Sequence, residues 1–158
     1  MIGIGETAPD FTLPRTGPGT EGATLTLSAL RPRPVVLYFY PKDDTPGCTT
    51  EALDFTRLAA DFAAAGATVV GISRDTLAKH EKFCAKHGLG ITLVSDEDGA
   101  TCAAYGTWVE KTMYGRTSMG IQRATFLIDG SGTVAQVWPK VAVKGHAEAV
   151  LAAVKALG

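Results

Sequence analysis

Cys48 is placed for chemistry by the residues around it. Residues 40–55 read YPKDDTPGCTTEALDF, so Cys48 follows a Pro-Gly pair where a strand-forming run gives way to a helical one. A cysteine in the first turn of a helix faces unpaired backbone N–H groups and the positive end of the helix dipole. Together they favour an anion by up to ~2 kcal/mol, and the thiolate is the nucleophilic form of cysteine. Thr45 is a suitable N-cap and Pro46 suits the first helical position. The Thr45 hydroxyl is also placed to donate to a thiolate or to a bound oxygen. The local charges work against an anion: Asp43, Asp44 and Glu51 share the segment, and Lys42 opposes them weakly. An activating cation must therefore come from far along the chain. The candidates are Arg123 and Arg116, in MYGRTSMGIQRATFLID, and Arg123 stands just before a strand that would aim it rigidly.

Packing offers a competing account, because cysteine is often fully buried. Cys48, Ala52, Phe55, Ala59 and Phe62 recur at steps of four, three, four and three, so they share one apolar helix face. That face should point inward and set Cys48 at the bottom of a pocket. The other cysteines read differently. Cys84 lies in a helical stretch, KHEKFCAKHG, beside Phe83, and Cys102 sits with Tyr105 in TCAAYG, where core packing is expected.

Two rival chemistries are weighed on the same residues. Thiol–disulfide oxidoreductases carry C-x-x-C at the helix start, whereas the window here is Cys48-Thr49-Thr50-Glu51. His80, Cys84 and His87 share a helix face and offer zinc or copper ligands, as in a metal-binding or redox-sensing module. The three span ~10 Å along the helix, too far for one ion, although two of them could share one. His146, ahead of the last helix, is expected to cap it or face solvent. No cofactor and no metal ion is called for.

The elements that position these residues follow from pattern. PVVLYFYP is an unbroken β-branched and aromatic run, the signature of a strand buried on both faces. A helix is expected from about Thr45 to Ala65, ended by Gly66. ATVVGIS and ITLVSD read as strands, RDTLAKHEKFCAKHG and EDGATCAAYG as helices, and ATFLID-GSG-TVAQVW as a hairpin. GHAEAVLAAVKALG reads as a terminal amphipathic helix, and ATLTLS, within the Gly/Pro/Thr-rich tract 14–34, as a strand with one wet face. The order β-α-β-α-β-(α)-β-β-α predicts an α/β fold, a central mixed sheet with helices on both faces. In such sheets reactive groups collect at the C-terminal ends of the parallel strands, where Cys48 lies.

Composition narrows the partners. The chain has 158 residues, 46% hydrophobic and 20% charged, with a net charge of −1 and both signs dispersed. One domain over 1–158 is expected, large enough to fold without a disulfide or metal. Nothing points to nucleic acid or an anionic membrane, and no run is long and apolar enough to span a bilayer. Without a signal-peptide pattern, and with an odd number of widely spaced cysteines, a cytoplasmic location is expected.

YFYPKDDTPGCTTE resembles the active-site segment of the peroxiredoxins, whose signature is Pro, three residues, Thr, two residues, Cys; here Pro41, Thr45 and Cys48. The lysine after the proline and TPGCT look like the bacterioferritin-comigratory, or peroxiredoxin Q, branch. GETAPDFTLP, GISRD, LVSDEDG, MYGR and GIQRATFLID are similar to that branch as well. The resemblance covers nearly the whole chain. It implies a thioredoxin-like fold and a thiol peroxidase acting on hydrogen peroxide and organic hydroperoxides. It also implies Cys48 as peroxidatic cysteine, Arg123 as activating arginine, Pro41 as pocket shield and Thr45 as hydrogen-bond partner of sulfur and peroxide. Thioredoxin is the implied reductant and a monomer the implied state.

One position departs from the branch. Many members carry a resolving cysteine five residues after the peroxidatic one, where this chain has Leu53. The resemblance then favours Cys84, since some members use a cysteine on this helix. A one-cysteine cycle with an external thiol remains the alternative. A disulfide needs Cα atoms within about 7 Å, and packed helix axes stand 8–10 Å apart. The first turn around Cys48, or the helix carrying Cys84, is therefore expected to unwind on oxidation.

Overall fold

The apolar runs become strands where the sequence places them. The computed structural model describes residues 1–17 and 23–157; the central part of the Gly/Pro-rich tract, residues 18–22, lies outside the described residues. The chain opens with two short strands, β1 (Thr12–Pro14) and β2 (Thr24–Thr26), followed by a 3-10 turn at Leu27–Leu30. Next come β3 (Val35–Phe39), α1 (Pro46–Arg57), α2 (Ala59–Ala64), β4 (Thr68–Ser73), α3 (Leu77–His87), β5 (Thr92–Ser95) and α4 (Ala100–Tyr105). The hairpin β6 (Trp108–Met113) and β7 (Arg116–Ile121) leads into β8 (Ala124–Ile128), β9 (Val134–Trp138) and α5 (His146–Leu157).

The central sheet runs β5-β4-β3-β8-β9. β3 pairs in parallel with β4, and β4 with β5, while β8 and β9 are antiparallel additions. Because β3 is buried on every residue, its side chains alternate between two cores. Val35, Leu37 and Phe39 face Cys102 and Tyr105 of α4 together with Leu25 of β2. Val36 and Tyr38 face Cys48, Ala52 and Phe55 of α1, Phe83 of α3, and Val150 and Val154 of α5. Helices thus cover both faces, as the α/β reading requires.

Two expectations need correction, and one element has no counterpart among them. The long helix 45–65 is two helices, because Leu58 leaves the helical backbone at φ −98°, ψ 5°. Phe55 and Phe62 still reach one core, their rings 5.8 Å apart. ATLTLS forms only the three-residue β2 before the chain turns into 3-10 geometry. The β6–β7 hairpin was not anticipated. Its two-residue turn is Tyr114-Gly115, both at positive φ (54° and 75°), a geometry usually signalled by Asn-Gly or Asp-Gly.

Candidate active site

The parallel strand β3 ends at Phe39, and Tyr40 to Thr45 carry the chain to the start of α1. Antiparallel β8 begins beside that end, with Ala124 opposite Phe39. Arg123, one residue earlier, is therefore delivered to the first turn of α1. Its backbone is fixed by the Val141 amide, which donates to its carbonyl at 3.0 Å, while the adjacent Gln122 amide donates to the Thr107 carbonyl at 2.7 Å.

The Arg123 guanidinium makes the central contacts. Nη2 donates to Cys48 Sγ at 3.4 Å and Nη1 donates to Glu51 Oε1 at 2.7 Å. A Cβ on Gly47 would stand 3.1 Å from Nη2, so the glycine of TPGC leaves room for the guanidinium against the helix start. Arg116 has no such role: it is exposed beside the hairpin turn. Burial opposes the charge on Arg123, but Glu51 and Cys48 outweigh it and raise its pKa. Burial pushes the Glu51 carboxyl up to about 7 against the pull of Arg123, and its second oxygen has no hydrogen-bond partner among the described residues.

The acids that threatened a thiolate are each occupied. Asp43 accepts from the Tyr40 hydroxyl at 2.6 Å and pairs with His80 Nδ1 at 2.6 Å. Asp44 pairs with Lys86 Nζ at 2.6 Å and His87 Nε2 at 2.8 Å. These contacts also tie the 41–44 loop to α3. The inward face of α1 follows the helical spacing, with Cys48, Ala52, Phe55 and Phe62 at most 2% exposed; Ala59 is only half-buried.

Thr45 occupies the N-cap position, but its side chain caps no N–H; the hydroxyl donates to the Lys42 carbonyl at 2.8 Å. Pro41 is exposed at the site's edge, in a cleft it shares with Trp108, Lys111 and Ile121. Lys111 escaped the sequence reading. It projects from the unanticipated hairpin and donates to the Ile121 carbonyl. Burial and Arg123 lower its pKa while Cys48 works in the opposite sense.

Cys84 is half-buried on α3, with its thiol toward Thr16 Oγ1 at 3.8 Å. Burial raises its pKa. The three cysteines are free. The His80–Cys84–His87 stripe does not converge: His80 is fully buried between Asp43 and the Val94 carbonyl, and His87 turns to Asp44. His146 neither caps nor faces solvent. It is 6% exposed, pairs with Thr125 Oγ1 at 2.8 Å and meets Phe55 and Trp138 edge-on. The apolar side of α5 carries it into the core.

Residues 4–137 match the AhpC/TSA family. The chain belongs to that family. It is 52% identical to peroxiredoxin Bcp of Xanthomonas campestris pv. campestris over 149 residues, covering 94% of this chain and 92% of that one. It is 44% identical to peroxiredoxin Bcp of Bacillus subtilis, covering 98% and 96%. Among solved structures, it superposes at TM-score 0.86 and 48% identity on the X. campestris bacterioferritin comigratory protein, studied for alkyl peroxide reduction, covering 93% and 91%. A cysteine variant of Xylella fastidiosa PrxQ gives a TM-score of 0.91 at 42% identity, covering 99% and 98%. The fold is the thioredoxin-like fold of these peroxiredoxins, and the chain is a thiol peroxidase of the Bcp/PrxQ kind. No helix among the described residues is long and apolar enough to cross a membrane.

Proposed function

We propose that Cys48 is the peroxidatic cysteine of a two-cysteine cycle resolved by Cys84 and turned over by thioredoxin. The observation that carries this reading is the Arg123 guanidinium, held at 3.4 Å from Cys48 Sγ by its pairing with Glu51. Cys48 thiolate attacks one peroxide oxygen. The S–O bond forms as the O–O bond breaks, and the second oxygen leaves as hydroxide or alkoxide and is protonated. Negative charge spreads along S–O–O, so fixed donors around it lower the barrier. Arg123, the free N–H groups at the start of α1 and, after turning from Lys42, the Thr45 hydroxyl are those donors. Pro41 shields the pocket edge. Hydrogen peroxide and organic hydroperoxides are the substrates, the latter supported by the alkyl peroxide reduction studied in the X. campestris relative.

Cys48 becomes a sulfenic acid, which a second thiol condenses to a disulfide. Cys48 is buried under α1, while the Cys84 thiol faces Thr16, so resolution requires opening of the first turn of α1 or of α3. The enzyme acts as a cytoplasmic monomer, the location supported by the odd number of widely spaced cysteines in the sequence and the monomer by the family resemblance.

The test is to add one equivalent of hydrogen peroxide to reduced protein, block free thiols and map peptides by mass spectrometry. A Cys48–Cys84 disulfide that thioredoxin reduces is the expected result. Oxidation confined to Cys48, with Cys84 still blockable, would replace it with a one-cysteine cycle. Unmodified Cys48 would overturn its assignment as nucleophile.

A further inference from the structure

Tyr38 carries a buried hydroxyl that the reduced structure does not use. It lies at the centre of the sheet, opposite Gly71 in the β3–β4 register. A Cβ on Gly71 would come within 2.7 Å of Tyr38 Cζ, 2.8 Å of its hydroxyl and 2.7 Å of Leu93 Cδ2. The glycine therefore lets the ring lie across β4, its tip beside Leu93. The ring stacks on Phe55 of α1, centroids 4.7 Å apart and planes at 22°. Tyr38 is 1% exposed, and its hydroxyl has no hydrogen-bond partner among the described residues.

An unpartnered buried hydroxyl costs about 1–3 kcal/mol, and phenylalanine would fill the same space without it. Such a group calls for an explanation in function. Its position supplies one. Cys48 lies in the same core cluster, and Cys84 packs against that cluster. Thr16 Oγ1 accepts from the Leu93 amide at 3.0 Å and contacts Cys84 Sγ at 3.8 Å, so Thr16 links the Cys84 sulfur to the strand residue beside which the Tyr38 tip lies. Burial, followed by the charges at Glu51, Cys48 and Cys84, raises the Tyr38 pKa well above the ordinary phenol value. It is thus a neutral O–H donor within electrostatic reach of both thiols.

We propose that the Tyr38 hydroxyl is a catalytic donor for the resolving step, hydrogen-bonding the sulfenic oxygen of Cys48 as that oxygen leaves. The inference rests on the Cys48–Cys84 reading above. Cys84 Sγ bonds to Cys48 Sγ and the Cys48 S–O bond breaks. The departing OH takes the Cys84 proton and leaves as water, and Tyr38 keeps its own proton. Help at the leaving oxygen matters because burial holds the Cys84 thiol in its protonated, weakly nucleophilic form.

Tyr38→Phe removes only the oxygen. Rapid mixing with hydrogen peroxide should give wild-type rates of Cys48 sulfenic acid formation, disulfide formation slowed about tenfold, and more sulfinic acid at high peroxide. Thermal unfolding of the reduced variant should show stability equal to or above wild type, since an unpaired hydroxyl is gone. A purely structural role would lower that stability and leave the disulfide rate alone. Wild-type disulfide kinetics in a folded Tyr38→Phe protein would overturn the inference and leave the Cys48–Cys84 reading standing. Absence of the disulfide in both proteins would overturn that reading, and the inference with it.

Discussion

Cys48 and Cys102 occupy matching local positions and have opposite surroundings. Each is the third residue of its helix, and each is at most 2% exposed. At α4 the helix start is already filled by an anion: Asp96 accepts from the Thr101 amide at 3.2 Å and the Cys102 amide at 2.7 Å. Burial first, then Asp96, hold the Cys102 thiol far above its ordinary pKa. At α1 the N-cap side chain makes no cap hydrogen bond, Thr45 having turned to Lys42, and the charge beside sulfur is the Arg123 guanidinium. With Cys48 as the proposed nucleophile, a helix N-terminus does not by itself make a reactive cysteine. What decides is which group takes the free N–H donors and which sign of charge arrives from the rest of the fold.

The sharpest way to break this comparison is to exchange each sulfur for oxygen. Cys48→Ser should abolish peroxide-dependent turnover, whereas Cys102→Ser should keep kcat/KM within about twofold of wild type, as expected away from the reacting atoms. Removing the cation is next. Arg123→Met should lower the second-order rate with peroxide by roughly 10²–10³, the effect of losing one preorganised charged donor. Arg123→Lys should recover only part of it, since an ammonium cannot bridge sulfur and carboxylate with a planar fork. Stopped-flow fluorescence at fixed pH measures both. Thr45→Val should cost about tenfold, one hydrogen bond in the transition state, with the same measurement. An unchanged rate would mean that the hydroxyl stays with Lys42 throughout.

How much of this was legible in the sequence depends on distance along the chain. The buried strand at Val35–Phe39, the inward helix face of Cys48 and the core setting of Cys102 all follow from local periodicity. Arg123 could be nominated because its strand begins next to it, but only the β3–β8 register brings it to Cys48. Glu51 reads locally as a threat to the thiolate. Its role as the anchor of Arg123 depends on a partner 72 residues away. Lys111 was hidden because its hairpin turns on Tyr-Gly, a weak turn signal. His146 was misread because a histidine at a helix start is usually solvated, and here tertiary packing brings it onto Phe55 and Trp138.

The two cysteine sites also differ in what titrates beside them, and this gives the smallest expected effect. Glu51 rises from 4.5 to about 7 on folding, chiefly through burial. The folded state then holds a proton that the unfolded state loses first, so this contribution is full below pH 4.5 and is lost as pH rises through about 7. His146 moves the other way, from 6.5 to about 4, through burial and then Arg123. Its contribution is present above pH 6.5 and is lost as pH falls through about 4. In the wild type the two slopes oppose each other where their windows overlap. Urea unfolding of Glu51→Gln should show stability, relative to wild type, climbing as pH rises from 4.5 to 7. His146→Gln should show it declining as pH rises from 4 to 6.5. Parallel curves for Glu51→Gln and wild type would mean that Arg123 keeps Glu51 ionised throughout, making the Cys48 site a fixed charge array.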